Sequence, residues 1–111
     1  MSSEIKAHVL SIVATMNHGF EGYGEENEDG DIATAYDYLT DVLDINWILD
    51  SNRELKGARL LVAFGGPNIW IDTTKGTVEG AWWGDNFTGD YNTDSEFARE
   101  LDEALQTIYS C

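Results

Sequence analysis

From Ser3 to Asn17 the apolar residues Ile5, Val9, Ile12, Val13 and Met16 fall at i, i+4, i+7, i+8 and i+11, one stripe of an amphipathic helix. Ser2 or Ser3 is placed to cap its start, and Gly19 to end it in a left-handed conformation. His8 and His18 read as ordinary surface or boundary residues of that helix. A second helical stripe, Ile32, Ala35, Tyr36, Leu39, Val42 and Leu43, predicts a helix from Ile32 to Leu43 with Asp31 as its N-cap. The pattern then changes period. Ile45 to Asp50 sets Ile45, Trp47 and Leu49 against Asn46, Ile48 and Asp50, as a strand does. Ser51 to Lys56 is a polar turn. Ala58 to Phe64 is nearly all apolar, with Arg59 its only charge, as in a central or doubly covered strand.

Gly65, Gly66, Pro67 and Asn68 break the ladder, since two glycines permit positive φ and proline refuses a ladder hydrogen bond. Asn68–Thr73 and Thr77–Trp83 then form a hairpin, with Gly76 at its left-handed turn position. If Ile69, Ile71, Val78, Gly80 and Trp82 share one face, a two-residue Lys75-Gly76 loop would set Asp72 opposite Glu79, an unfavourable pair. A four-residue loop, Thr73-Thr74-Lys75-Gly76, instead sets Asp72 beside Thr77, Ile71 beside Val78 and Ile69 beside Gly80. The longer loop is expected. Gly84 to Asn92 reads as polar loop, and Thr93-Asp94-Ser95-Glu96 as a capping box opening a last helix with stripe Phe97, Leu101, Ala104, Leu105 and Ile108. The expected fold is a single α+β domain spanning residues 1–111. It is a four-stranded antiparallel β-meander packed by three helices, in the order α-α-β-β-β-β-α.

Charge changes the picture most: 21 acidic residues against 6 basic, a formal −15 over 111 residues. Direct binding to nucleic acid would have to overcome phosphate repulsion. Such acidity serves solubility, or docks on a basic groove of another protein. The one cysteine, Cys111, excludes a disulfide framework and points to a cytoplasmic protein. No apolar run approaches the ~20 residues that span a bilayer, and the N-terminus does not read as a signal peptide.

Two acidic stretches are candidate partner-binding surfaces. In the loop from Phe20 to Asp31, Glu25, Asn27, Asp29 and Gly30 match the first, third, fifth and sixth positions of a calcium loop. Tyr36 then stands where the bidentate glutamate is needed, so no metal is assigned, and Glu25, Glu26, Glu28, Asp29 and Asp31 read as an acidic surface. Asp37, Asp41 and Asp44 follow at i, i+4 and i+7 on the exposed face of the second predicted helix. Each incurs a small local cost there through like-charge spacing, the helix dipole or poor propensity, so the fold is expected not to need them. Trp82 and Trp83 point to opposite faces of a strand. With the helices on one face, Trp70 and Trp83 become a partly exposed aromatic patch with Ile48. No nucleophile sits beside a base, no Cys/His cluster suits zinc, and the Gly65-Gly66 pair does not lead into a helix as a phosphate loop does. No catalytic residue and no cofactor is assigned.

The central segment, Gly57-Ala58-Arg59-Leu60-Leu61-Val62 with Gly65-Gly66-Pro67-Asn68-Ile69 and Gly76-Thr77-Val78-Glu79, resembles small proteins carried by bacteriophages and related mobile elements. In size and charge the chain is similar to phage-encoded anti-defence proteins, anti-CRISPR proteins among them. That resemblance implies a stoichiometric, cofactor-free inhibitor whose partner is a host defence protein with a basic groove, met in the host cytoplasm. The alternative is a small acidic interaction module that binds another partner through its aromatic sheet face.

Overall fold

In the computed structural model, residues 2–110 are described, with side chains from Glu4 onward; the cap expected at Ser2 or Ser3 rests on side chains outside that description, and Cys111 lies outside the described residues. Helix α1 runs Ser2–His18. It stops where expected, at Gly19 with φ 92°, whose N–H donates to the Thr15 carbonyl. Helix α2 is Ala35–Thr40, and the strands are β1 (Asp44–Leu49), β2 (Leu55–Ala63), β3 (Asn68–Asp72), β4 (Thr77–Trp82) and β5 (Asp85–Asp90). Helix α3, Glu96–Ser110, closes the chain. The strands form one antiparallel sheet in the order β1-β2-β3-β4-β5.

The α+β meander with three helices stands, but it has five strands, not four. The fifth lies in the expected polar loop. Its inward row holds Phe87 and Gly89, and only one of these has an apolar side chain, so alternation was invisible in the sequence. Glycine is there because α1 lies directly on it. A Cβ at Gly89 would stand 2.9 Å from Val13 Cγ2, and one at Gly80 would stand 2.6 Å from Val9 Cγ2 and 2.8 Å from Ile5 Cδ1. The two glycines let the helix approach β4 and β5 closely, and Ile5 and Val9 are fully buried there.

The predicted second helix is also shortened. Backbone bonds from Gly24 to Ala33 and from Ala33 to Glu25, with a bridge between Glu26 and Ile32, draw residues 24–33 into a hairpin-like arm. Ile32 therefore leaves the helical stripe, and Thr34, not Asp31, is the N-cap. Of the expected stripe only Ala35 and Leu39 are buried and Val42 half-buried, whereas Ile32, Tyr36 and Leu43 are exposed. At α3 the cap is Ser95 rather than Thr93. Its buried hydroxyl donates to the Met16 carbonyl and accepts from the Ala98 N–H, latching the end of α1 to the start of α3.

The β3–β4 register is that of the four-residue loop: Asp72 opposite Thr77, Ile71 opposite Val78, Trp70 opposite Glu79 and Ile69 opposite Gly80. Asp72 holds the turn. Its Oδ1 accepts from the Thr74 N–H, the Thr74 hydroxyl and the Lys75 N–H at 3.0, 2.6 and 3.1 Å. Burial works against the charge of Asp72, but those bonds and the Lys75 ammonium outweigh it and hold the carboxyl below the usual range.

Inward rows continue across the sheet through Ile45, Leu60, Ile71, Val78 and Gly89. Helix α1 covers β4 and β5 while α3 packs on β2, α1 and α2, so the helices lie on one face. The other face carries Asp44, Leu61, Trp70, Glu79 and Thr88 in register, together with Asn46, Arg59 and Thr77.

Two stability predictions follow from this packing. Gly80→Ala should destabilise by about 1–3 kcal/mol through overpacking against α1. Gly66→Ala, where nothing lies within 4 Å, should stay within about 0.5 kcal/mol in the same denaturant titration. Asp72→Ala should cost about 2–3 kcal/mol, the loss of several bonds to a buried carboxylate. Because the folded carboxyl titrates below its unfolded value, its contribution is complete above about pH 4 and is lost as the pH falls through the folded value. The gap between wild type and Asp72→Ala should therefore narrow on acidification, and a gap that widened would contradict the assignment.

Candidate functional site

Ten acidic residues stand between Glu21 and Asp50, and no Lys or Arg occurs between Lys6 and Arg53. The fold ties the arm and α2, which carry most of this run, to helix α3. Phe20 and Tyr23, which precede the arm, and Tyr38 of α2 all pack on the ring of Phe97 in α3, with centroids 5.9, 5.0 and 5.5 Å away. Glu100, one turn on, accepts the Ala35 N–H at the start of α2 and a hydrogen bond from the Tyr23 hydroxyl. Burial and then the carboxylates of Glu100 and Glu96 push the Tyr23 hydroxyl up to about 12. Acidic groups of α3 are thus brought beside the acidic arm. Asp94, Glu96, Glu100 and Glu103 line a shallow depression of about 440 Å³ there, with Arg99 the one base among them.

Within the arm the turn is built so that its carboxylates are left outward. Asn27 Oδ1 accepts the Asp29 and Asp31 N–H groups, both at 2.9 Å, and the Asn27 N–H donates to the Asp31 carbonyl. The backbone is satisfied by an amide, and Glu25, Glu26, Glu28, Asp29 and Asp31 are exposed. Asn27, which would have to ligate calcium from the third loop position, is the side chain tied into the turn. Among the described residues no three His, Cys, Asp or Glu side chains converge on a metal position.

The row Asp37, Asp41, Asp44 does not lie on one helix face, because α2 ends at Thr40. Asp37 is the third residue of α2 and reaches back to accept the Thr34 N–H at 2.7 Å. Asp41 is the C-cap, and Asp44 opens β1 with its Oδ1 accepting the N–H of Ile45. All three are exposed, but they run along the chain from α2 into the sheet edge, and Asp37 is used by the fold.

The two tryptophans are separated. Trp70 is half-buried on the open sheet face, in a trough of about 460 Å³ lined by Arg59, Asn68, Glu79, Ala81, Asn86 and Thr88. The Arg59 guanidinium lies 5.0 Å over its ring and 3.6 Å from Glu79 Oε1, while the Thr77 hydroxyl donates to Glu79 Oε2. The sequence reading missed Arg59 as Trp70's partner, although the β2–β3 register, once known, puts Leu61 opposite Trp70 and Arg59 one step along. Trp83 is not on the sheet face. It sits in the two-residue β4–β5 turn with φ 55°, followed by Gly84 at φ 82°, and is 87% exposed. It borders a different depression, with Gly65, Gly66 and Trp82.

Burial pushes the Asp102 carboxyl up to about 6. Its depression of about 190 Å³ also holds Lys56, whose ammonium is 3.5 Å from Asp50. A carboxyl shifted in this way can hold a proton near neutrality, but catalysis needs it aligned with a reacting group. The neighbours of Asp102 do not supply a nucleophile–base pair.

Comparison with protein-family models, with curated proteins and with solved structures finds no match to this chain. No helix among the described residues is long and apolar enough to cross a membrane.

Asp37 and Asp41 are separable by experiment. Asp37→Ala should lower stability by about 1 kcal/mol through loss of its capping bond. Asp41→Ala should stay within about 0.5 kcal/mol or stabilise slightly, since it removes a negative charge from a helix C-terminus. Thermal melting of the two variants side by side makes the comparison.

Proposed function

We propose that this chain is a non-enzymatic binding protein of the phage or mobile-element anti-defence kind. It occupies a basic, nucleic-acid-handling surface on a host defence effector, with a CRISPR–Cas component as the leading case. The observation that supports this reading is the segregation of charge along the chain: ten carboxylates without an intervening base from Glu21 to Asp50, with Asp94, Glu96, Glu100 and Glu103 gathered where α3 holds the start of α2. Three of the six basic residues are engaged elsewhere, Arg59 with Glu79 and Trp70, Lys75 at the Asp72 turn and Lys6 over Phe87, while Lys56 pairs with Asp50 at the last position of the run. The acidic side therefore presents a dense negative field, which steers a basic partner and competes with its nucleic acid.

A second reading draws on a separate observation. The Arg59–Trp70–Glu79 trough on the open sheet face and the exposed Trp83 at the hairpin tip fit an interaction module whose affinity comes from aromatic burial.

The test is capture of the partner from host lysate on immobilised protein, followed by association kinetics with the purified partner. The charge reading expects a nucleic-acid-handling protein, displaced by its own nucleic acid, with association slowing at least tenfold between about 50 and 300 mM salt. A rate indifferent to salt, and binding lost on Trp70→Ala, would replace it with the aromatic reading.

A further inference from the structure

We infer that the free edge of β1 is the docking line for an extended, basic-flanked segment of a partner protein, which adds to the sheet as a sixth strand. The inference rests on the charge reading above and supplies its mode of contact. Strand β1 is at the end of the sheet and, among the described residues, pairs only with β2. Edge strands are ordinarily blunted with lysine, proline, bulges or a covering element, because an unpaired row of N–H and C=O groups is a template for another chain. In β1, Asp-Ile-Asn-Trp-Ile-Leu, there is no lysine, proline or glycine, and the one irregularity falls at its last step, between Ile48 and Leu49. The other edge, β5, carries Gly89 in its interior, where α1 lies on it.

Exposed apolar side chains bracket the β1 line. Leu43 is 61% exposed at its start and Leu49 41% at its end. They offer an incoming strand an apolar contact at each end of the line, while the backbone between them supplies affinity. The occupant is set by charge. Asp41 and Asp44 stand at the entrance to the strand, inside the stretch that has no Lys or Arg. A second copy of this chain would bring the same carboxylates and another formal −15 to the edge, whereas a segment with Lys or Arg at its ends and β-branched residues between them is complementary.

The experiment uses isotope-labelled full-length protein and two synthetic ten-residue peptides. One is Lys-Arg-Thr-Val-Thr-Ile-Thr-Val-Arg-Lys; the other keeps the four basic residues but has proline at alternate central positions, so it cannot pair as a strand. At about 50 mM salt the first peptide should slow amide exchange across residues 44–49 and bind at least about tenfold tighter than the second. Equal binding of the two, with shifts confined to the acidic arm and α2, overturns the edge assignment and leaves the charge reading standing. Binding of neither removes the charge reading, and the edge assignment with it. Protection of residues 44–49 that grows with protein concentration in the absence of peptide would put a second copy on the edge and overturn the assignment.

Discussion

The ring of Phe97 is the contact on which the acidic side of this molecule depends. It is 1% exposed, and three aromatic rings from two other segments meet it edge-on, at 5.0–5.9 Å. Edge-to-face geometry sets the positive rim of one ring against the negative face of another and adds to the burial. Here it fastens an arm and a six-residue helix that have little else to hold them. A helix so short is marginal by itself, because nucleation fixes several residues for its first hydrogen bond. Its order comes from Tyr38 on Phe97, Ala35 and Leu39 in the core and Glu100 at its first N–H. Mutually repelling carboxylates are thus carried on a segment anchored by apolar contact.

The sheet obeys a second constraint, the close approach of α1. Gly80 and Gly89 clear a path for Ile5, Val9 and Val13, and the Ser95 hydroxyl ties the end of α1 to α3. With α1 and α3 side by side, one face of the sheet is covered and the other is left to polar and amphipathic side chains. Arg59 stacked on Trp70 and paired with Glu79 shields the middle of that face. A half-exposed ion pair of this kind contributes little to stability, on the order of 0–1 kcal/mol. Its weight lies in how the face presents itself to a partner.

These constraints leave the molecule three distinct surfaces: an acidic side, an amphipathic sheet face and an unblunted edge at β1. The acidic side and the β1 edge meet at Asp41 and Asp44, where the chain leaves α2 and enters the sheet. The charge reading and the strand-addition mode are therefore compatible in space, with long-range attraction delivering a partner to a line of backbone groups.

Local pattern alone determined much of this protein. The α1 and α3 stripes, the breaks at Gly19 and Gly65–Asn68, and the four-residue β3–β4 loop were all legible, because each depends on side-chain period, glycine conformation or the parity of a hairpin. So was the excess of negative charge, which is a property of composition. Tertiary structure decided the rest. Strand β5 was hidden because its inward row gives up a side chain at Gly89 to admit a helix distant in sequence. The second helix lost its first residues to the hydrogen bonds of the arm, which no helical periodicity records. The row of Asp37, Asp41 and Asp44 was real in sequence spacing but not in space, since spacing becomes geometry only where the helix persists. Trp83 left the sheet face because β5 turns back after two residues, and that turn exists only when a fifth strand is there to receive it.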